Sequence, residues 1–345
     1  MVDIGVEEQL RDYLRERRLF KDPDSVSIIY YPGGVSGIVA LASDGELDVI
    51  VKQALSRLKV KDVWECDPGR IITEHRAHEI YARLVPDSVP QPLFADDENK
   101  VIGRVGAPDG TPMWKAQLLD GLFDFQVAAQ AIDALRIIHN ASAKDDAIRR
   151  DFDDNAIFYD LRISPYIEKT VSVHPELAAR AKPVIDRLMN DKLVLVHGDY
   201  SPKNILVDNR RIYILDYEVA HFGHPSFDLA FFFNHFMLKA VKNPQWADAS
   251  LNMLLFMAGR YFGGIDFMDP VLLERQTVEL LGFMLLARVD GKSPAEYITL
   301  AEDKNLIRRV AFRLLIENVD SLAKAAGTLK AEVKGPGGAS VPPCP

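Results

Sequence analysis

Cysteine is scarce in this sequence, which holds only Cys66 and Cys344 in 345 residues. Two cysteines exclude a disulfide framework and any metal site built on several thiolates. Long apolar runs are missing too, because no stretch approaches the roughly 20 apolar residues that a membrane-spanning helix needs. The first residues are acidic and lack the basic segment and apolar run of a secretory signal. We therefore expect a cytoplasmic protein with no membrane partner.

Basic charge is also in short supply. Lysine and arginine total 41 against 50 aspartates and glutamates, which gives a formal charge of −9. This balance argues against a nucleic-acid partner, which would require a basic surface. It would suit a cationic small substrate, although most acidic surfaces serve solubility alone.

Two common types of site are missing from the sequence as well. Gly291-Lys292-Ser293 resembles the end of a phosphate-binding P-loop, but Leu286 stands where that motif requires glycine. His221, His224 and His235 do not follow a regular ligand spacing, which argues against a zinc site. Neither site type therefore explains the chain.

The apolar pattern divides the chain into a β-rich first part and a helical second part. A length of 345 residues predicts two lobes that share a cleft. In the first part the pattern predicts a leading helix over 6–19, strands over 25–30, 35–41 and 49–52, a helix over 70–84, and strands over 101–105 and 113–119. We predict an N-terminal lobe over 1–119 with a hinge near 117–122.

Helices dominate the remainder of the chain. Apolar residues at helical spacing predict a long helix from Phe123 to His139 and a last helix from Ala301 to about Ala326. The exception is 193–215, which reads as a strand, a polar loop and two further strands. We predict a helical C-terminal lobe over 120–330 and a flexible tail over 331–345, where glycine and proline replace any periodicity.

The polar loop and the strands after it hold the most informative residues. Apolar segments at 204–207 and 212–215 flank a polar turn, so a hairpin would bring Asn204 and Asp216 to the same open end. Oxygen ligands that converge with positions left for water and phosphate suit Mg²⁺. Asp199 lies five residues before Asn204 and could accept a hydroxyl proton during phosphoryl transfer. We interpret Asp199 as the base and Asn204 and Asp216 as metal ligands.

These blocks resemble the superfamily of aminoglycoside phosphotransferases and choline kinases. The residues that carry the resemblance are His197-Gly198-Asp199, Asn204, Asp216 and the segment 223–230, Gly-His-Pro-Ser-Phe-Asp-Leu-Ala. The resemblance implies an α+β bilobal protein-kinase-like fold, with a small antiparallel β N-lobe and a mainly helical C-lobe. It also implies that His197 and Asp228 support the catalytic loop and do not react.

The resemblance extends to the N-terminal part of the chain. There it implies that Gly33, Gly34, Ser36 and Gly37 cover the nucleotide phosphates and that Lys52 contacts them. A carboxylate must hold this lysine. Glu74 is the first candidate, and Glu79, one helical turn further, stays open.

Within the superfamily, a narrower resemblance is to the methylthioribose kinase group. It rests on Lys52-Gln53-Ala54-Leu55, Trp64 and Asp216-Tyr217-Glu218, and implies that Glu218 is a second metal ligand. The chain departs from that group at Asn204, where the group carries serine. The candidate acceptor-binding residues all lie in the C-terminal part: Arg288, Asp290, Lys292, Arg308 and Arg309.

Together these features predict a kinase that uses ATP and Mg²⁺ to phosphorylate a hydroxyl of a small molecule. Ser201 stands where protein kinases carry a catalytic-loop lysine, and no Ala-Pro-Glu segment follows Asp216, so a protein substrate is disfavoured. A metal-dependent phosphohydrolase and a nucleotide-binding pseudokinase are the alternatives. The acceptor (a sugar such as methylthioribose, an aminoglycoside or an amino alcohol), the choice between ATP and GTP, and the oligomeric state stay open.

Overall fold

The computed structural model describes residues 2–31, 37–55, 67–317 and 319–334. The first part of the chain forms one antiparallel sheet with two helices. Its elements are α1 (Glu7–Arg17), β1 (Ser27–Tyr30), β2 (Gly37–Ser43), β3 (Asp48–Ala54), α2 (Arg70–Leu84), β4 (Pro92–Asp96) and β5 (Val101–Val105), with 3₁₀ turns at Pro23–Ser25 and Pro86–Ser88.

The sheet has the strand order β1-β2-β3-β5-β4, so β3 is its central strand. Side chains alternate across a strand, and the two faces of β3 have different neighbours. Val49 and Val51 pack into a small core with Leu10 and Leu14 of α1. The intervening Ile50 and Lys52 therefore point to the opposite face, where α2 and the rest of the chain lie.

Helices make up most of the second part. They are α3 (Trp114–Leu119), α4 (Phe125–Ser142), α5 (Asp146–Asp151), α6 (Ala156–Phe158), a π-helix (Tyr159–Glu168), α7 (Lys169–Val173), α8 (Ala178–Asn190), α9 (Ser226–Lys242), α10 (Ala247–Phe262), α11 (Pro270–Asp290), α12 (Ala301–Ile316) and α13 (Leu322–Lys334). Further 3₁₀ turns lie at Pro175–Leu177 and Pro244–Trp246.

Two short sheets interrupt the helices and frame the polar loop. Strand β6 (Val194–Val196) pairs with β9 (His221–Gly223), and β7 (Ile205–Asp208) pairs with β8 (Arg211–Ile214). Asn209 and Arg210 form the turn between β7 and β8, with φ of 46° and 68°. Two positive φ values in a two-residue loop match the right-handed twist of a hairpin. The predicted hairpin is confirmed.

Helix α9 is the centre of the larger core. Every residue from Ser226 to Val241 is buried, and the aromatic residues Phe232 and Phe236 pack against Trp114 of α3. Truncating one such phenylalanine to alanine costs about 3–5 kcal/mol of stability. This rigid helix begins directly after β9 and so fixes one side of the polar loop.

Three local predictions are wrong. Residues 114–119 form helix α3 instead of a strand, because Trp114 and Leu118, one helical turn apart, are both fully buried. The last predicted helix is two helices, α12 and α13, and α13 continues to Lys334, into the predicted tail. Its Leu329 is buried and Val333 packs on the core, which accounts for the longer helix. Residues 335–345 lie outside the described part.

The predicted fold class is confirmed: a small antiparallel sheet precedes a mainly helical remainder. Among the helices that the structure describes, none is both long and apolar enough to cross a membrane. A cleft of about 600 Å³ lies between the sheet and the helical part. Side chains from β3, α2, the polar loop, α9 and α11 line this cleft.

Candidate active site

Lys52 lies at the centre of the cleft on the N-terminal side. In the sheet it is paired with Val39 of β2 and Ile102 of β5, both of which also line the cleft. Its Nζ donates to Oε2 of Glu74 at 2.7 Å and to Oδ1 of Asp216 at 2.8 Å. A single ammonium therefore joins helix α2 to the segment after β8.

The alternative partner for Lys52 lies elsewhere. Glu79 is exposed, and its Oε1 is 3.5 Å from Nε2 of His75 on the same helix. The distance between Lys52 and Glu74 therefore favours Glu74 as the carboxylate that holds the lysine. Gly37 also lines the cleft, and a Cβ there would lie 2.6 Å from the carbonyl oxygen of Gln53. Gly33, Gly34 and Ser36 lie outside the described residues.

Three carboxylates surround Lys52, and their charges act on one another. Burial disfavours the lysine ammonium, yet Asp216 and Glu74 more than offset this, so its pKa is raised. Burial also opposes ionisation of Asp216, but Lys52 holds the pKa of that carboxyl well below its usual range. At Glu74 burial prevails over Lys52 and raises the pKa to about 7. Lys52 thus keeps Asp216 ionised, whereas burial opposes the charge of Glu74.

Asp216 and Glu218 point towards the same place from the segment after β8. Asp216 has φ of 71°, a left-handed conformation that costs roughly 1 kcal/mol for a residue other than glycine. Glu218 faces inward: its Oε2 is 3.3 Å from Nε of the fully buried Arg70 and 3.9 Å from Nζ of Lys52. Strained or buried acidic groups in a cleft mark candidate functional sites.

Asn204 holds the other side of this cluster. Its Nδ2 donates to the carbonyl of Asp199 at 3.0 Å, so the amide oxygen lies on the opposite side of the group. Its own carbonyl accepts from the backbone N–H of Leu215 at 2.9 Å. The hairpin therefore brings Asn204 beside Asp216, at the position its strand register requires.

These oxygen atoms could hold a divalent cation. Ligand oxygens of Glu74, Asp216 and Glu218 lie within 4.8 Å of one another. Carboxylate and amide oxygens are the ligands that Mg²⁺ prefers. The chemistry of this donor set fits a cation held by Asp216, Glu218 and the amide oxygen of Asn204, with Glu74 retained by Lys52, which also donates to Asp216 at 2.8 Å.

The loop that carries Asp199 is held in place by Asp228 of α9. The carboxylate of Asp228 accepts from the backbone N–H of His197 at 2.7 Å and from that of Gly198 at 2.9 Å. Burial raises the cost of this charge, but His139 and the N–H of His197 lower the pKa of Asp228. Gly198 has φ of 78°, and a Cβ there would lie 2.6 Å from the carbonyl of Val219.

His197 is packed in a cage of aromatic rings. Its ring centroid lies 4.9–5.8 Å from those of Tyr81, Tyr200 and Tyr217. Its Nδ1 accepts from the backbone N–H of Asp199 at 3.2 Å, and burial lowers its pKa, so the ring is neutral. This is the geometry of a residue that supports the loop.

Asp199 faces the cleft and forms an ion pair with an arginine that no sequence motif indicates. Arg162 places Nη2 3.2 Å from Oδ2 of Asp199, and its Nε donates to the carbonyl of Gly198 at 2.6 Å. Arg162 lies in the π-helix, whose extra residue per turn is a local feature that periodicity does not predict. The guanidinium thus fixes both the carboxylate and the backbone before it.

The residues predicted to bind the acceptor are divided between two places. Arg288 and Lys292 line the cleft. Asp290 instead accepts from Arg308 at 2.6 Å and lies 2.8 Å from Nε2 of His174, and Arg309 donates to Glu332 at 3.0 Å. Each residue of a helix is rotated by about 100° from the one before it, so Arg288 and Asp290, two positions apart, point to nearly opposite sides of α11. Asp290, Arg308 and Arg309 are therefore not brought to the cleft.

Comparison with protein families is decisive at this point. A model described as the APH phosphotransferase enzyme family matches residues 65–263, which is more than half of the chain and includes Asp199, Asn204 and Asp216. The chain belongs to this family. The resemblance that the loop residues carry is thus confirmed over residues 65–263.

One similar curated protein is the methylthioribose kinase of Bacillus mycoides. It is 23% identical to this chain over 261 residues, which cover 68% of this chain and 66% of the kinase. The match therefore spans just under two thirds of the length of that relative.

Two solved structures share the fold. A spectinomycin phosphotransferase in complex with ADP and spectinomycin has a TM-score of 0.50 at 15% identity, over 94% of this chain and 98% of that protein. An amicoumacin kinase in complex with AMP-PNP and Ca²⁺ has a TM-score of 0.52 at 13% identity, over 91% and 97%. At these identities the likeness concerns the fold alone.

Proposed function

We propose that this phosphotransferase moves the γ-phosphate of ATP to a hydroxyl of a small molecule, with Mg²⁺ as cofactor. The observation that carries the proposal is the arrangement around Lys52, whose Nζ is held 2.7 Å from Glu74 and 2.8 Å from Asp216 in the cleft that also contains Asp199. Phosphoryl transfer needs a positioned cation, metal ligands and a base that orients the attacking hydroxyl. Family membership and the nucleotide-bound relatives of the same fold support it.

Lys52 would bind the α- and β-phosphates. Its raised pKa keeps it positive at neutral pH, and Glu74 holds it in place from α2. A cation that is already oriented need not lose side-chain freedom when the nucleotide enters. The lysine therefore acts by positioning the nucleotide, while the carboxylates beside it remain on the metal side.

Asn204, Asp216 and Glu218 would hold Mg²⁺. When bound, the ion neutralises charge on the β- and γ-phosphates. The left-handed Asp216 and the Arg70 ion pair of Glu218 orient two of these groups before any ligand binds. The protein thus contributes a fixed arrangement of oxygen atoms.

Asp199 is the proposed base. The acceptor oxygen bonds to the γ-phosphorus as the bond from that phosphorus to the bridging oxygen of ADP breaks, and the hydroxyl proton passes to the Asp199 carboxylate. Arg162 is a positioning residue: its Nη2 lies 3.2 Å from Oδ2 of Asp199 and orients this carboxylate, while Asp199 itself accepts the proton. Since positioning and charge neutralisation suffice, we propose direct in-line transfer without a phosphoenzyme.

The phosphohydrolase alternative has less support. It would need His197 as a metal ligand, yet that ring is fully buried among three tyrosines and does not line the cleft that contains the carboxylates. A pseudokinase would lack a lysine, base or metal ligand, and all of these residue types line the cleft.

The test is ATP turnover in the presence of Mg²⁺ and a screen of hydroxylated metabolites, measured as ADP release for the parent and for Asp199→Asn. We expect kcat to fall by roughly 10²–10⁴-fold, which is the range of general-base catalysis. Asp191→Asn, an exposed aspartate shortly before the same loop, serves as the control and should match the parent. An Asp199→Asn enzyme as active as the parent would show that the base is another group.

A further inference from the structure

The part of the cleft beyond Asp199 is rich in positive charge. Basic side chains from four separate segments line it. Among the described residues, the acidic side chains of the cleft are Asp199 and Glu296 at this end and Glu74, Asp216 and Glu218 around Lys52. The basic residues are Lys115 at the start of α3, Arg162 in the π-helix, Lys203 in the catalytic loop, Arg288 in α11 and Lys292 just after it. Lys115 is paired with Glu296, and Arg162 with Asp199. Of the charged side chains that line the whole cleft in the described part of the chain, seven are basic and five are acidic, so positive charge is in excess.

A sixth basic side chain is buried next to the five at this end of the cleft. Lys239 of α9 is 1% exposed, donates to the carbonyl of His235 at 3.4 Å and lies 5.5 Å from the ring centroid of Tyr297. Burial, then Lys115 and Arg288, lower its pKa to about 7, and Glu296 opposes this only in part. Like charges that crowd a buried ammonium destabilise it unless an anion is near.

Several buried polar atoms in the same region have no hydrogen-bond partner among the residues that the structure describes. They are Nε of Arg288, Nε2 of His235 and the hydroxyl of Tyr297. All three residues line the cleft. Buried polar atoms are rarely left unpaired, so each one calls for an explanation. The Arg288 Nε–H and the tyrosine hydroxyl can both donate, and so can a neutral histidine nitrogen.

The basic residues are also held in place. Arg288 donates from Nη1 to the carbonyl of Ser293 at 2.7 Å and to the hydroxyl of Tyr166 at 3.3 Å, which leaves Nε on the other edge of its guanidinium. Tyr166 and Phe231 flank Arg162, whose guanidinium carbon is 5.9 Å and 5.6 Å from their ring centroids. Oriented guanidinium groups recognise carboxylate and phosphate well.

From this combination of charge and unpaired donors we propose that the acceptor is anionic: a hydroxylated molecule that carries a carboxylate or phosphate group. The inference rests on the proposed function, because it assigns the substrate class of the same site. The anionic group binds the end lined by Arg288 and Lys292, and the hydroxyl to be phosphorylated lies beside Asp199. Polycationic aminoglycosides and quaternary amines are disfavoured, since the same charges repel them.

Binding of four related sugars tests the proposal. The probes are D-glucuronate, D-glucose 6-phosphate, D-glucose and D-glucosamine, which share a pyranose ring and differ in charge. Calorimetric titrations are run on the full chain with and without saturating Mg²⁺ and AMP-PNP. We expect one or both anionic sugars to bind at least tenfold more tightly than glucose, and glucosamine to bind most weakly. The two anionic probes separate a carboxylate site from a phosphate site.

Variants then locate the binding. Arg288→Gln and Lys292→Gln should each lower the affinity for the anionic sugar about tenfold. Arg288→Lys should restore part of the affinity. Arg275→Gln, at an exposed position on the same helix, should have no effect. The affinity of both glutamine variants for AMP-PNP should match that of the parent, which separates this site from that of the nucleotide phosphates. Folding is checked by the affinity for AMP-PNP.

The results that contradict the inference are equal binding of all four sugars, tighter binding of glucosamine, no detectable binding of either anionic sugar, or anion binding that is insensitive to both glutamine variants. If the parent chain does not bind AMP-PNP, that result would instead contradict the proposed function. Anion binding that responds to Arg288→Gln would support the inference even then.

Discussion

The two ends of the cleft differ in how their charges are balanced. At the nucleotide end, Glu74, Asp216 and Glu218 surround Lys52 at 2.7–3.9 Å. At the acceptor end, basic residues outnumber acidic ones, and a buried lysine has a lowered pKa. One end is therefore balanced largely within the protein, whereas the other has an excess of one sign.

This difference indicates what each end requires from a ligand. The carboxylates around Lys52 are already oriented by hydrogen bonds and ion pairs, and the proposed Mg²⁺ and nucleotide would complete the site. An unbalanced group of cations is costly in a low-dielectric site until an anion binds. Asp199 and its partner Arg162 lie between the two ends, where the phosphoryl group would pass.

Removing a charge from the nucleotide end should have the largest effect. We expect Asp216→Asn to lower kcat by at least roughly 10³-fold, because it removes a proposed metal ligand and a partner of Lys52 together. Steady-state turnover across a Mg²⁺ titration measures this, with Asp208→Asn on the same hairpin as the control. A turnover rate equal to that of the parent at every Mg²⁺ concentration would contradict a direct role for Asp216.

Arg162 tests the junction between the two ends. We expect Arg162→Gln to lower kcat about 10- to 100-fold with little change in KM for ATP, because the Asp199 carboxylate loses its fixed orientation. Arg162→Lys should recover part of the loss, since it keeps the charge without the hydrogen bond from Nε to Gly198. Arg180→Gln, an exposed arginine on α8, is the control. A purely structural role would instead lower stability and change both constants together.

The acceptor end should respond to pH, with a smaller effect. Lys239 is charged below its pKa of about 7 and loses its proton above it. A bound anion favours the ammonium, so affinity for D-glucuronate should be highest below pH 7 and fall roughly three- to tenfold as the pH rises towards 9. His235 stays neutral across this range, because burial and the neighbouring cations lower its pKa. The charged or titratable groups that face Lys239 are Lys115, Arg288, Glu296, His235 and Tyr297.

Calorimetry from pH 6 to pH 9 measures this dependence. Lys239→Met keeps the buried volume and removes the charge, so its affinity should be low and independent of pH over the same range. An affinity that rises with pH in the parent, or a Lys239→Met variant with the parent pH profile, would show that Lys239 does not contribute.

The nucleotide end could be predicted from the sequence to a large extent. Asp199, Asn204 and Asp216 are close along the chain, and alternating apolar residues predict the hairpin that brings the last two together. Lys52 lies on a strand whose alternation is equally clear. The choice between Glu74 and Glu79 is different, because it depends on which face of α2 points to the cleft. Apolar residues are distributed around α2, so the sequence does not show which face that is.

The acceptor end could not be predicted in the same way. Lys115, Lys239 and Arg288 come from three distant helices, and only tertiary packing brings them together. The sequence predicts a strand over 113–119, whereas Lys115 lies in helix α3. Arg162 belongs to a π-helix with no motif. The family resemblance implies Asp290, Arg308 and Arg309 as acceptor residues, but they form ion pairs and do not line the cleft. Their charge alone did not indicate which way they point.

The central claim is that both ends of the cleft act on one phosphoryl group in a single step beside Asp199. The most direct test is the stereochemical course of transfer from ATP with a chiral γ-phosphate to an acceptor that supports turnover. We predict inversion of configuration at phosphorus, as direct in-line transfer requires. Net retention would show that a phosphoenzyme forms between two separate steps and would contradict this account.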